Sequence, residues 1–444
     1  MSGLTPSVAP TGNVDAAGQD ARFFYGWWIV AVTFAGTFFA TGIHDTVFSV
    51  LLKPISNDLH VSRTAISIPI SISIWIGAIL GPFAGRIMDK RGPRLLSAGG
   101  ASVIAIVFFF LSAIGQFWQF ALIYPVGRAV SQTTMLGSIP STAVANWFVR
   151  KRGRALGVQA MSIGLGGATL SLVAQFIIQH WGWRAVFVVF GFCMAIVVVA
   201  PAALLLRHRP EQLGLLPDGD RADTPPPPPR PASTRGRVIT NKDFTIGEAL
   251  RTPAFWALLI VSIIGSTGTG AIHLHLASYL TDVGISPIAS AAIVSVTALM
   301  GGVGSIFWGM LAERIAVHWG LIAIYLSAAV SVLILASFTA IAAAFCFAVI
   351  FGLATRGGGV MLSVATADYY GRANLGTIQG IVVPIQVAGL GVGQVFAPAM
   401  QSATGSYRAA FLILAALYLV SAIIGATVRP PRDAMLAASA IVKG

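Results

Sequence analysis

Twelve stretches of about 20 mostly apolar residues divide this chain, and each is long enough to cross the ~30 Å hydrocarbon core of a bilayer as a helix. Their approximate limits are 26–51, 64–86, 95–115, 118–145, 155–178, 184–206, 253–280, 287–311, 317–339, 341–366, 374–400 and 407–428. Inside a bilayer every backbone polar group needs an internal partner, which a helix supplies for itself. The expected fold class is an all-α membrane protein with twelve transmembrane helices in two six-helix pseudo-repeat halves.

Composition agrees. Of 444 residues, 56% are hydrophobic and 10% are charged, against about 25% charged in soluble domains. Mean hydropathy is +0.82. A soluble interior has no room for that much apolar surface, and disordered chains lack it. Cys193 and Cys346 lie inside apolar runs; they read as small core residues, not as a disulfide framework or zinc site. No cofactor and no metal are expected.

Polar composition marks the remaining boundaries. Residues 1–21 are small and polar, an expected disordered cytoplasmic tail without a signal peptide. Residues 207–252 contain five consecutive prolines, Pro225 to Pro229. Such a run favours extended polyproline II and builds no core. It is expected to link a 22–206 bundle to a 253–428 bundle; a proline-recognition ligand is the alternative. Residues 429–444 form the expected C-terminal tail.

The net charge of +13 would point to nucleic acid in a soluble chain. Its distribution points elsewhere. With both termini inside, the inner loops collect 22 of the 28 Lys and Arg, including Arg86, Lys90, Arg91 and Arg94. The outer loops hold Lys53, Arg63, Arg184 and Arg408. This asymmetry is the positive-inside pattern, so both termini are expected in the cytoplasm of a cell (inner) membrane protein, with the lipid bilayer and no nucleic acid as partner. Arg128 and Arg356 fall inside spans.

The halves repeat weakly. Gly85 to Lys90 answers to Gly309 to Arg314, Trp147 to Arg150 answers to Tyr369 to Arg372, and Trp183 to Phe187 answers to Tyr407 to Phe411, at offsets of 224, 222 and 224. A parallel repeat of this kind places a substrate site between the halves near the midplane.

With these features the chain resembles transporters of the major facilitator superfamily. Gly85-Arg-Ile-Met-Asp89-Lys-Arg91-Gly92 is similar to their signature loop between helices 2 and 3. Phe24 to Trp28, Pro54 to Leu59 followed by Ser62 to Thr64, Trp147 to Gly157, and His275 to Asp282 together resemble the bacterial monocarboxylate and oxalate:formate antiporter-like branch. The resemblance implies a major facilitator fold, small organic anions such as lactate, pyruvate or oxalate as cargo, and often a proton with them. It also implies a gating role for Asp89, with Gly85 and Arg91 beside it. Animal monocarboxylate carriers keep an Arg and an Asp in helix 8, whereas this chain has no charge there.

Ionisable residues inside a span are costly and point to function. Arg356, near the middle of helix 10 and followed by three glycines, is the leading candidate for a substrate carboxylate, because a guanidinium fork matches one. Its structural alternative is a tie to carbonyls or to a carboxylate across the bundle. Arg128 shares a helix face with Gln132 and Tyr124 and is either a second anion site or part of a helix–helix network. Thr41, Tyr279 and Gln386 complete the expected substrate contacts. His44, Asp45, His273 and His275 are the candidates for the proton; Asp45 stands near the outer end, where the alternative is simple exposure to water. Gly265, Gly268 and Gly270 suggest a flexible or broken helix 7.

A membrane enzyme would need paired carboxylates, a nucleophile with a base, or a metal cluster, and a sensor would normally carry a soluble signalling domain. Neither is found. The expected function is secondary active transport of a small monocarboxylate with a proton, by alternating access and as a monomer. The alternative is an anion antiporter or an exporter of another small amphiphilic solute.

Overall fold

The computed structural model describes residues 24–148, 151–219, 244–312, 314–337, 340–370 and 375–431. The proline run, the segment 1–21 and residues 432–444 lie outside the described residues, as do Arg150, Glu313 and Arg372 of the repeat. Asp89 lies in a described helix, but its side chain is outside the described set.

Among the described residues every regular element is helical. In the first half, α1 is Gly26–Ala40, α2 Asp45–Asp58, α3 Arg63–Arg91, α4 Pro93–Ser112, α5 Phe117–Ser131, α6 Ser138–Trp147, α7 Arg152–Trp181, α8 Trp183–Cys193 and α9 Ala200–Leu205. A short α10, Ile246–Leu250, precedes the second half: α11 Pro253–Asp282, α12 Pro287–Ala312, α13 Val317–Ser337, α14 Ile341–Tyr370, α15 Leu375–Thr404 and α16 Arg408–Thr427. Pro93 and Pro253 open their helices, where a missing N–H costs nothing. Ser62 and Thr252 cap the next turn by accepting from Ala65 N and Phe255 N. Gly92, at φ 77°, reverses the chain between α3 and α4 in one residue, a conformation that side chains with Cβ resist.

Among the described residues, eleven helical segments are long and apolar enough to cross a membrane. The fourth crossing makes the twelfth. It is expected as one helix, 118–145, but it widens into a π-turn over Gln132–Leu136 and breaks at Gly137. The first crossing differs too. Expected as continuous to residue 51, it tightens to 3-10 geometry over Thr41–Ile43, leaves helical dihedrals at His44 (φ −96°, ψ 166°) and restarts as α2. The carbonyls freed there find partners on α5: Tyr124 Oη donates to Ile43 O at 2.7 Å, and Ser131 Oγ donates to Ala40 O at 3.4 Å. Broken spans survive in a bilayer when side chains re-satisfy the backbone in this way.

The seventh crossing is the reverse case. Its glycines suggest a flexible or broken helix, yet α11 runs unbroken from Pro253 to Asp282. The glycines serve packing. A Cβ on Gly268 would lie 2.2 Å from the Tyr418 hydroxyl, and one on Gly270 would lie 2.1 Å from the Leu390 carbonyl oxygen. Small residues let helix backbones approach in just such places.

The halves meet along three seams, α2 with α11, α3 with α15 and α7 with α12. At the third, a Cβ on Gly164 would stand 3.1 Å from Ala298 O and from Gly302 Cα. Outward faces are apolar and exposed, as at Ile79, Leu122, Ile196 and Ile423, where lipid would cover them.

Candidate binding cavity

A cavity of about 690 Å³ lies between the halves. Its wall runs from the bundle centre (Thr41, His44, Gly167, His273, Arg356) toward the end where the 207–252 linker attaches (Ser262, Ser305, Ser363). Near that end a Cβ on Gly85 or Gly309 would touch nothing within 4 Å among the described residues.

The opposite end is shut by contacts between the halves. Asp282, the last residue of α11, takes Lys53 Nζ of α2 at 2.9 Å and both terminal nitrogens of Arg63 of α3, Nη2 at 2.9 Å. Lys53 Nζ also donates to Thr281 Oγ1 at 3.2 Å. Deeper in the same seam, Ser71 Oγ donates to Gly391 O at 2.9 Å. His275 Nε2 lies 2.9 Å from Gln394 O and Nδ1 lies 3.4 Å from Tyr407 Oη. A carbonyl only accepts, so Nε2 carries the hydrogen and Nδ1 accepts from Tyr407.

Among the described residues, three charged side chains line the cavity: Asp45, Arg128 and Arg356. Asp45 is expected near the outer end. The helix break instead sets it at the first position of α2, where the positive helix end favours a carboxylate. Arg128 Nη2 reaches Asp45 Oδ1 at 2.7 Å. The approach is a close charge contact without hydrogen-bond alignment, since Oδ1 has no aligned donor and Arg128 Nε has no acceptor among the described residues. His44 Nε2 meets Ser131 Oγ at 3.0 Å beside the pair.

Arg356 is different. It sits mid-way along α14, exposed to the cavity, with its stem against Gly301 of α12. It has no hydrogen bond or ion pair among the described residues. The wall therefore carries one balanced pair and one unbalanced guanidinium. Hydroxyls and amides surround them, including Thr269, Tyr325, Gln132 and Gln386.

The expected site residues thus separate. Arg356, Arg128, Gln132, Thr41, Gln386, His44, Asp45 and His273 all line the cavity. Three others are placed elsewhere. Tyr124 stands behind Arg128 with its hydroxyl on the Ile43 carbonyl, fully buried. Tyr279 turns away from the cavity and donates to Leu335 O at 2.9 Å, packed on Phe411. His275 is fully buried in the closed seam, so in this conformation it has no contact with the cavity. Arg91 is exposed at the end of α3 and makes no ion pair among the described residues.

Comparison with known proteins decides the family. The model of the Major Facilitator Superfamily matches residues 33–386 and 276–441. The chain belongs to the Major Facilitator Superfamily. Within it, the chain is 27% identical over 373 residues to the oxalate:formate antiporter of Oxalobacter formigenes, covering 82% of each protein. It is 22% identical to monocarboxylate transporter 13 of Bos taurus, over 66% of this chain and 62% of that one. Its fold is similar to a bacterial homologue of the human lysosomal transporter Spinster in an inward-facing, occupied conformation, with TM-score 0.68, 17% identity and coverage of 95% and 98%. The nucleoside transporter NupG gives TM-score 0.68 at 13% identity, covering 90% of this chain and 99% of that one. This facilitator is a transporter, not an enzyme.

Several wall residues of this facilitator escape a reading of charges alone. Ser262, Ser266, Thr269 and His273 form one stripe of α11 facing the cavity. Their signal is spacing: polar side chains at intervals of four, three and four in an otherwise apolar helix share a face. Asp282 has a similar signal, a carboxylate at a span end opposite the two outer cations Lys53 and Arg63.

Proposed function

We propose that this facilitator carries small organic anions across the membrane by alternating access and moves a proton with them. The observation that carries the reading is the unpaired guanidinium of Arg356 on the wall of the central cavity. A cation without a counter-ion is costly within a membrane-spanning helix. A substrate carboxylate is the natural partner, with two parallel N–H···O bonds to the fork.

Asp45 is the proposed proton site. Protonating it releases Arg128 from its counter-ion and makes the cavity more positive, which favours the anion. The anion in turn favours protonation, because linkage between two bound species is reciprocal. His44, His273 and Arg356 share that wall, so the proton has ring nitrogens beside it to pass through. Gln132, Gln386 and Thr41 would hold the uncharged part of the substrate. With the basic linker end in the cytoplasm, following the positive-inside pattern, the described state opens inward and the Asp282 cluster closes the outside.

Anion exchange is the second reading. Among the described residues the cavity wall bears one excess positive charge, from two arginines against one aspartate. Reorienting that charge empty is unfavourable, whereas a bound monoanion neutralises it on both legs. The oxalate:formate antiporter among the relatives supports the same reading.

Uptake of labelled lactate, pyruvate and oxalate into proteoliposomes tests both. Uptake driven by an inward pH gradient, lost in Arg356→Ala, supports symport. Uptake that needs a trapped internal anion and ignores the gradient supports exchange. Failure of every small acid to enter or exchange would end both.

A further inference from the structure

A second cavity, of about 300 Å³, lies in the closed end of the seam between α2, α7, α11 and α12. It continues the central cavity along shared helix faces. On α2, Thr46 faces the central cavity, and Ser49 and Lys53 face the second. On α11, His273 faces the first, and Ala277 and Thr281, at successive steps of four, face the second. Between the two, Ser171 Oγ reaches Thr46 O at 3.5 Å, and Ser295 Oγ donates to Ala168 O at 2.6 Å across the halves. These contacts divide one path into two chambers.

The outer chamber holds polar groups without partners. Ser278 and Ser290 are both 1% exposed, and neither hydroxyl has a hydrogen-bond partner among the described residues. Buried hydroxyls are nearly always partnered, and each exception calls for an explanation. The Gln175 amide, 7% exposed, is likewise without a partner among the described residues. Lys53 Nζ uses two of its three hydrogens on Asp282 and Thr281, leaving one. The charge nearby is positive: Asp282 alone faces both Lys53 and Arg63. Exposed Asn57 and Gln179 form the mouth.

Two unused hydroxyl donors, an amide and a spare ammonium hydrogen, beside one excess positive charge, describe a receptor for a small anion with several acceptor oxygens. We propose that this outer chamber is a second binding site for a small carboxylate, distinct from Arg356. A solute would occupy it on the way between the far solvent and the central cavity. The inference rests on the proposed anion transport only for the identity of the anion; its residues are its own.

The test uses full-length protein in liposomes with Cys193 and Cys346 replaced by alanine. Single cysteines are placed at Ala277 and Val50, which line the chamber without offering a ligand. Their reaction rate with anionic 2-sulfonatoethyl methanethiosulfonate is measured with and without lactate or oxalate. We expect the acids to slow both reactions, and to do so equally in an Arg356→Ala background. Gln175→Leu, or Ser278→Ala with Ser290→Ala, should raise the acid concentration for half protection about tenfold. Three results would overturn the proposal: no reaction at either cysteine, no protection, or protection that disappears with Arg356→Ala. The last would place the only anion site in the central cavity. Transport by the Arg356→Ala variant, measured separately, decides whether the central reading fails independently.

Discussion

The Asp45 carboxylate meets the Arg128 guanidinium at 2.7 Å directly below the break in the first crossing. One side chain begins a helix and the other caps the carbonyl of Ile43 that the break leaves free, at 3.4 Å. The backbone interruption and the charge pair are therefore one construction. Any event that separates the two charges also acts on the joint between α1 and α2.

Asp45→Asn keeps the shape and removes the carboxyl group. Proton-driven uptake should fall by about tenfold or more, while exchange of labelled for unlabelled anion persists. Wild-type uptake should rise as the outside is acidified, because protonation of Asp45 favours the anion. The variant's uptake should be flat over the same pH range. A variant that retains the wild-type pH response would remove Asp45 from the coupling.

Arg128→Ala leaves the Asp45 charge on the cavity wall without its partner; losing one member of a fully buried pair costs about 3–5 kcal/mol, and the partly exposed Asp45 lowers that cost. Its thermal unfolding temperature should drop clearly. Adding Asp45→Asn should recover part of the loss. Equal effects of single and double variants would deny the coupling between the two groups.

Asp282→Asn weakens two ion pairs that hold the far end closed. Both are partly exposed, with side-chain exposures of 33% and 16% for Lys53 and Arg63, and such pairs are worth about 0–1 kcal/mol each. The open and closed populations should shift roughly thirtyfold or less toward the state open at that end. Distances between spin labels at residues 60 and 285 would report it. Unchanged distance distributions would mean that the remaining contacts, among them those of His275 and Ser71, hold the seam without it.

Gly164→Val puts side-chain atoms where only 3.1 Å separates a Cβ from Ala298 O and Gly302 Cα. Overpacking of this kind costs about 1–3 kcal/mol. It acts on the contact between the halves, so transport should fall more than thermal stability. Wild-type transport by this variant would show that α7 and α12 have room to spare.

Much of this arrangement is legible in the sequence. Apolar length fixes the crossings, because a bilayer admits little else than helices. Arg356, Arg128, Asp45 and His44 stand out because charges inside such runs are rare. Other features are not legible from one strand of text. The break at His44 depends on Tyr124 and Ser131 arriving from α5 to satisfy its carbonyls. Tyr279 has the right face on α11, but the neighbouring Leu335 carbonyl captures its hydroxyl. Gly268 and Gly270 have the composition of a hinge, and only the presence of Tyr418 and Leu390 reveals them as packing contacts.

The most direct test of the account is equilibrium binding of labelled lactate and oxalate to purified protein, comparing wild type, Arg356→Lys and Arg356→Ala. Wild type should bind saturably, and the lysine variant, which keeps the charge but loses the bidentate fork, should bind more weakly. The central-site component should be absent in the alanine variant, with thermal stability preserved. A folded Arg356→Ala protein that binds as many acid molecules as wild type, at every site with wild-type affinity, would contradict the central claim and move the carboxylate away from Arg356.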